Sequence, residues 1–361
     1  MKICMIVPNS TVKGGIAAVV NGYREHNFGE RYRITYVESY CDGSKMRKLL
    51  KALGSYFCFL KVIITNRPDL IHIHSSFGPS FYRKMPFIYL GKMFRIPIIN
   101  HIHGAEFDPF YGKASEQKKR LIQKVYRKCT RLIALSDEWK KNLKLIVPED
   151  KITVLPNYCI VPEEVNLERK RQILFLGEIG KRKGCFDIPD ILEKANLRGL
   201  DATMVFAGAG SREDEEALKK ELAKRNLDKN VKFAGWVNGR EKTKLLEESR
   251  IFLFPSYNEG MPMAVLEAMA YGLAVVTTRI GGIPNLITDG QTGFLAKPGE
   301  NEFFAQKIEK LLQEPELAQR LGEGARQKAK EKYSFESHLN SLLRIYEETV
   351  KESDVSRSNN T

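Results

Sequence analysis

The chain has 361 residues, 43% hydrophobic and 28% charged, enough for two α/β domains and unlike a fibrous or disordered composition. Its net charge of +14 is lopsided: residues 1–165 hold 27 Lys+Arg against 14 Asp+Glu, and residues 166–361 hold 31 against 30, so an anionic partner is expected to touch the first half. No apolar run approaches the ~20 residues of a membrane-spanning helix, the apolar part of MKICMIVPNS is too short for a secretory signal, and six scattered cysteines without a CxxC pair exclude a zinc knuckle or disulfide framework, so a cytoplasmic protein with buried thiols is expected.

In chain order, residues 2–8 read as a strand, and Gly14-Gly15 makes a turn before Ile16, Val19, Val20 and Tyr23 recur at helical spacing. The glycine pair permits close backbone approach to a ligand, and a plain tight turn explains it equally well. A strand is expected over 33–39 and a helix over 45–66, where Lys45, Arg47, Lys48, Lys51 and Lys61 flank Leu49, Leu50, Leu53, Tyr56, Phe57, Phe59 and Leu60. That helix is either one that packs on a sheet in the ordinary way or a basic amphipathic surface for a bilayer. Strands over 68–76 and 96–107 each carry a His-x-His, His72 with His74 and His101 with His103. Alternation puts each pair on one face, but no third ligand is signalled, so no metal site is expected. His103 is followed by glycine at a strand's C-terminal end, where open α/β sheets bind ligands. A basic helix over 113–131 leads into a strand over 131–136, and residues 152–166, with two prolines and no periodicity, read as an interdomain linker.

The second half restarts the same grammar at QILFLGEIGKRKG, residues 172–184: strand, glycine turn, three cations, helix. Strands over 202–210 and 230–237 carry Gly208, Gly210 and Val237 at their ends, with an ion-paired amphipathic helix between them. Such alternation predicts a second doubly wound parallel sheet. Helices are expected over 302–313, 315–332 and 335–350, then a frayed tail from 351.

Residues 254–282, FPSYNEGMPMAVLEAMAYGLAVVTTRIGG, hold the densest pattern. A buried strand ends at Phe254, the chain turns through Pro255, Ser256 and Asn258, and Met263, Leu266, Glu267, Ala270 and Tyr271 then recur at helical spacing, with Pro262 suited to the first turn and Gly272 to the stop. Glu259 falls in the loop and Glu267 in the helix. A strand, a turn and a helix N-terminus present N–H groups suited to a phosphate, although many α/β turns share that form.

The string resembles the signature of the retaining glycosyltransferases of family 4, with Glu259 and Glu267 as its Glu-x7-Glu pair, and the resemblance continues through Gly281-Gly282-Ile283-Pro284 and LITDGQTGFLAKPG. It implies the GT-B fold, two Rossmann-like doubly wound domains facing a cleft: an acceptor-side domain over 1–160, a nucleotide-sugar domain over 161–334, and a C-terminal helix over 335–361 crossing back. The implied catalytic set is Glu259 on donor-sugar hydroxyls, His103 against the donor sugar and Lys183 on the diphosphate. The implied donor-binding set is Gly14, Gly15, Arg182, Gly208, Gly210, Val237, Gly260, Met261, Pro262 and Met263, with Glu267 on the ribose. Where the resemblance implies an arginine before that lysine, this chain has Glu178, and Lys181 or Arg182 could substitute as the second cation.

The two glutamates are not expected to form a glycosidase pair: if both were helical, eight positions would separate them by about 12 Å of rise, against ~5 Å in a retaining hydrolase. With no Asp-x-Asp in the chain, no metal cofactor is expected. The expected partners are a nucleotide-sugar donor, UDP favoured over GDP, a lipid-linked or saccharide acceptor, and the anionic inner face of the cell membrane, bound peripherally. Rival readings are a non-catalytic nucleotide-sugar binder and an enzyme with a small soluble acceptor. Nucleic-acid binding is not expected, since no reading module is present.

Overall fold

The computed structural model describes residues 1–165 and 168–358. The chain divides into two compact units, residues 1–157 together with 336 onward, and residues 158–335. In the first, strands β1 (Lys2–Pro8), β2 (Arg33–Tyr40), β3 (Leu70–Ser75), β4 (Ile98–Ile102), β5 (Arg131–Ala134) and β6 (Ile152–Val154) form one sheet in the order β2-β1-β3-β4-β5-β6. Every pairing is parallel. Helices α1 (Gly15–Glu25), α2 (Lys45–Asn66), α3 (Pro79–Met93), α4 (Glu116–Tyr126) and α5 (Asp137–Leu143) make the crossovers. The second unit repeats the plan with β7 (Lys170–Leu176), α6 (Ile188–Lys194), β8 (Thr203–Ala207), α7 (Arg212–Lys224), β9 (Val231–Gly235), α8 (Gly239–Glu248), β10 (Ser249–Phe254), α9 (Met263–Ala270), β11 (Ala274–Thr278), α10 (Ile283–Leu286), β12 (Phe294–Ala296), α11 (Asn301–Gln313) and α12 (Pro315–Lys332). Its sheet runs β12-β11-β10-β7-β8-β9 and is again parallel. Both are the doubly wound α/β sheets the alternation predicted.

Several boundaries move for identifiable reasons. Residues 152–154, expected in the linker, pair in register with β5 as an edge strand, Ile152 opposite Leu132; Asn166 lies outside the described residues. The expected frayed tail is helical as far as Ser358 in α13 (Phe335–Ser358), because Arg131 holds Glu348 and Glu352 by ion pairs one turn apart; residues 359–361 lie outside the described residues. The 96–107 strand shortens to β4, and the 113–131 helix to α4, preceded by a π turn at Asp108–Gly112. After the three cations a 3₁₀ turn intervenes, and α6 begins only at Ile188. Pro262 is the N-cap of α9 rather than part of its first turn. Five thiols are buried as expected, but Cys58 is exposed on α2. By length and composition alone α2 is also apolar enough to cross a membrane, a property its interspersed lysines conceal from a count of uninterrupted apolar residues.

The first sheet also answers the histidine question. The β3/β4 register sets His101 directly beside His74, so the two His-x-His pairs form one ladder on one face. That register supplies the third ligand the sequence did not signal: side-chain nitrogens of His72, His74 and His101 lie within 4.8 Å of one another. His72 Nδ1 bonds Tyr346 Oη at 2.6 Å, His74 Nδ1 meets His103 Nε2 at 2.9 Å, and Tyr23 Oη meets His338 Nε2 at 2.5 Å. Burial of the rings, followed by the proximity of other histidines, holds His72 and His103 at about 3 and pushes His74 and His101 well below the ordinary 6.5; burial holds His338 at about 4. All five are therefore neutral in the fold near pH 7, the form a metal ligand requires.

Because these folded values lie below the unfolded ones, the unfolded chain takes up protons first as pH falls. The stability is fully present above pH 6.5 and is lost toward pH 3, each imidazole removing about 1.4 kcal/mol per pH unit. The urea midpoint should be level from pH 8 to 7 and fall between pH 6.5 and 5, less steeply in His101→Gln. A level midpoint down to pH 5 would contradict the neutral ladder.

Candidate active site

In the second sheet the chain leaves β7 for β8 on one side and later returns to build β10, β11 and β12 on the other, so β7 and β10 are neighbours at the topological switch point. The loops leaving their C-terminal ends diverge there, which is where doubly wound sheets bind ligands. One is residues 177–187, with a 3₁₀ turn at Lys181–Lys183; the other is residues 255–262, ending at the N-terminus of α9. The loops are stitched together. The Tyr257 N–H of one donates to the Arg182 carbonyl of the other at 2.9 Å, and from the loop after β11 the Gly282 N–H donates to the Gly260 carbonyl at 2.7 Å. Gly281 has φ +51°, and a Cβ there would stand 1.9 Å from the Glu259 carbonyl oxygen, so only glycine lets this backbone approach.

This stitching brings Lys183 onto Glu259. The Lys183 ammonium donates to Glu259 Oε1 at 2.6 Å, Ser256 Oγ reaches the same oxygen at 2.7 Å, and Arg182 Nη1 stands 3.9 Å away. The Lys183 and Glu259 side chains are 14% and 8% exposed, so their attraction is only weakly screened. Lys183 Nζ also lies 4.9 Å from the centre of the Phe254 ring. Arg182, by contrast, is half exposed and pairs with Glu178 at 3.1 Å. Glu178 thus engages Arg182, one of the two cations expected to supply the second charge at the diphosphate.

The structure places the other expected residues as follows. Gly260, Met261 and Pro262 are buried, and Met263 opens α9 partly exposed. No side chain caps α9, so its first N–H groups and the positive end of its dipole are left for an anion. Glu267, one turn in, accepts from Lys242 of α8 at 2.7 Å. Lys242 was not foreseen: it lies 25 residues upstream, and only the β9-α8-β10-α9 packing brings it to Glu267. Gly208 and Gly210 owe their identity to packing, since Cβ atoms there would stand 1.7 Å from the Gly177 carbonyl oxygen and 2.3 Å from that of Ile179. Val237 is buried just after β9. Gly14 and Gly15 belong to the first unit, where both are exposed at the start of α1 and a Cβ on either meets nothing within 4 Å. His103 is there too, just past β4, partly exposed, with its N–H donating to the Ser75 carbonyl at 2.8 Å.

The profile described as "Glycosyl transferases group 1" matches residues 160–328, and that of "Glycosyltransferase Family 4" matches residues 18–158. The chain belongs to the family 4 glycosyltransferases. A 41.2 kDa protein in the cps region of Klebsiella pneumoniae is 26% identical over 93% of this chain and 97% of its own length. The glycogen synthase of Mycobacterium tuberculosis is 25% identical over 78% of this chain and 69% of its own length. Among solved structures, HepE of Anabaena in complex with UDP superposes with a TM-score of 0.76 at 18% identity, over 96% of this chain and 100% of that one. This glycosyltransferase therefore shares the GT-B fold, and its membership sets aside the non-catalytic alternative.

Removing one member of a buried ion pair leaves the other charge uncompensated. Lys183→Ala should therefore cost about 3 kcal/mol, while Lys183→Ala combined with Glu259→Gln should recover part of that loss. Urea unfolding of both variants checks this. A double variant less stable than Lys183→Ala would contradict the cost assigned to the stranded Glu259 carboxylate.

Proposed function

We propose that this glycosyltransferase moves a hexosyl group, with retention, from a UDP-sugar to a hydroxyl of a lipid-linked or polysaccharide acceptor in cell-surface polysaccharide synthesis. The observation that carries the reading is the Lys183–Glu259 pair beside the uncapped N-terminus of α9. The UDP complex of HepE supports the choice of base, and the cps-region relative supports the surface-polysaccharide role.

In this reading the donor diphosphate takes over Lys183. Two negative phosphates at the α9 N-terminus compete with one carboxylate for the ammonium, and Glu259, relieved of its cation, turns its oxygens to hydroxyls of the donor sugar. Glu267, held by Lys242, accepts from the ribose. As the bond from the anomeric carbon to the β-phosphate oxygen breaks, Lys183 and the helix N-terminus stabilise the charge that gathers on the diphosphate. The acceptor hydroxyl attacks the same face of the sugar, and its proton passes to the departing phosphate oxygen. His103, neutral because its pKa sits at about 3, serves as a hydrogen-bonding partner of the sugar rather than an acid. Arg182 and the N–H groups of Gly260 to Met263 line the donor, with Gly14 and Gly15 on the acceptor side. The protein works on the cytoplasmic side and needs no metal, the diphosphate charge being met by Lys183 and the helix.

Calorimetry with UDP separates the two glutamates. Glu267→Gln should weaken UDP binding, whereas Glu259→Gln should spare UDP and slow sugar transfer; equal losses of UDP affinity would refute the division. Lys183→Ala should lower turnover by about two to three powers of ten, and a near-normal rate would remove Lys183 from the mechanism. Activity on a panel of UDP-sugars should survive EDTA, and complete loss restored by Mg²⁺ would overturn the metal-free reading.

A further inference from the structure

The first sheet carries α2, α3 and α4 on one of its faces, since each belongs to a right-handed crossover running in the same direction across the sheet, and the three pack side by side. Towards the sheet, α2 buries Ala52, Ser55, Phe59, Val62 and Ile63. Its outer side is not polar. Met46, Leu49, Leu50, Leu53, Phe57 and Ile64 are all exposed, Met46 at 64% and Phe57 at 76%. Their spacing keeps them in one stripe over 19 residues, about 27 Å of helix. The neighbouring α3 adds exposed Tyr82 and Met93, with Phe94 just beyond its end. An apolar area of this extent is unusual on a monomer and marks an interaction surface.

Charge identifies the partner. Lys45, Arg47, Lys61 and Lys92 border the stripe, and none has an ion pair among the described residues; α4 continues the layer with Lys118, Arg120 and Lys124. A second copy of the chain would bring these cations against one another, which disfavours self-association. Beyond its first turn the stripe, with Leu53, Phe57 and Ile64, stands on the side of α2 opposite its buried residues. At its N-terminal end Met46 and Leu50 line a hollow of about 680 Å³ with Asn9 and Thr11 from the loop after β1, at the ligand-binding edge of the sheet.

We infer that the outer face of α2 and α3 docks on an anionic bilayer, with Leu50, Leu53 and Phe57 entering the headgroup boundary, the bordering cations on lipid phosphates, and Met46 and Leu50 leading to the acceptor side. This deepens the lipid-linked reading of the acceptor but is tested without any sugar donor, so either can fail alone. The exposed thiol of Cys58, next to Phe57, provides a place for an environment-sensitive fluorophore. The full chain should sediment with phosphatidylglycerol-containing vesicles at low salt, be released at high salt, and ignore pure phosphatidylcholine; the Cys58 label should shift to the blue on binding. Leu50→Glu combined with Phe57→Glu, both on exposed positions, should reduce vesicle binding at least tenfold and leave UDP affinity unchanged. Equal binding by this variant, or no binding by the unaltered chain at low salt, would overturn the inference. So would a concentration-dependent dimer, abolished by the same substitutions, in a chain that does not bind vesicles, because it would assign the face to a second copy.

Discussion

One ion pair, Lys183 to Glu259, ties together the parts of the second unit that bear on chemistry. It joins the loop after β7 to the loop after β10, both residues are largely out of solvent, and the uncapped start of α9 lies three residues beyond the carboxylate. Its strength depends on the sheet order. Had the chain placed β10 away from β7, the two loops would not share an edge, and a lysine 76 residues from the glutamate would find no partner. The surrounding details serve the same contact: Gly281 permits close backbone approach to Glu259, and the Tyr257 N–H pins the carbonyl of the residue before Lys183.

How much of this was legible in the sequence follows from what each feature depends on. The α9 segment was readable because a strand, a turn and a helix succeed one another within one short stretch, and the Glu-x7-Glu signature lies wholly inside it. The helices α2 and α12 were placed to the residue by local periodicity and punctuation. Features made by pairing distant strands were not readable. His101 joins His74 only through the β3/β4 register, and Lys242 of α8 meets Glu267 of α9 from 25 residues upstream. Residues 152–154 looked like linker because an edge strand of three residues carries too little alternation to show a period. The last turns of α13 looked like tail because the arginine that holds them lies more than two hundred residues upstream.

The two units share a grammar but use their polar residues differently. In the first, the sheet is threaded by neutral imidazoles whose charges burial suppresses, while its buried strand cation Arg131 is paired with Glu348 and Glu352 of α13. In the second, buried charge is kept and compensated at the switch point. That contrast follows from the partners proposed for each: a bilayer surface and acceptor for the first, a diphosphate for the second. Glu178 pairs with Arg182, which leaves Lys183 as the more buried of the cations near Glu259.

In the proposed mechanism Lys183 exchanges a carboxylate for a phosphate when the donor arrives. A crystal structure of the UDP complex tests it most directly. Lys183 Nζ should lie within hydrogen-bonding distance of a phosphate oxygen and be released from Glu259 Oε1, with the diphosphate at the first turn of α9. A diphosphate bound elsewhere, with Lys183 Nζ still on Glu259 at its present 2.6 Å, would contradict it.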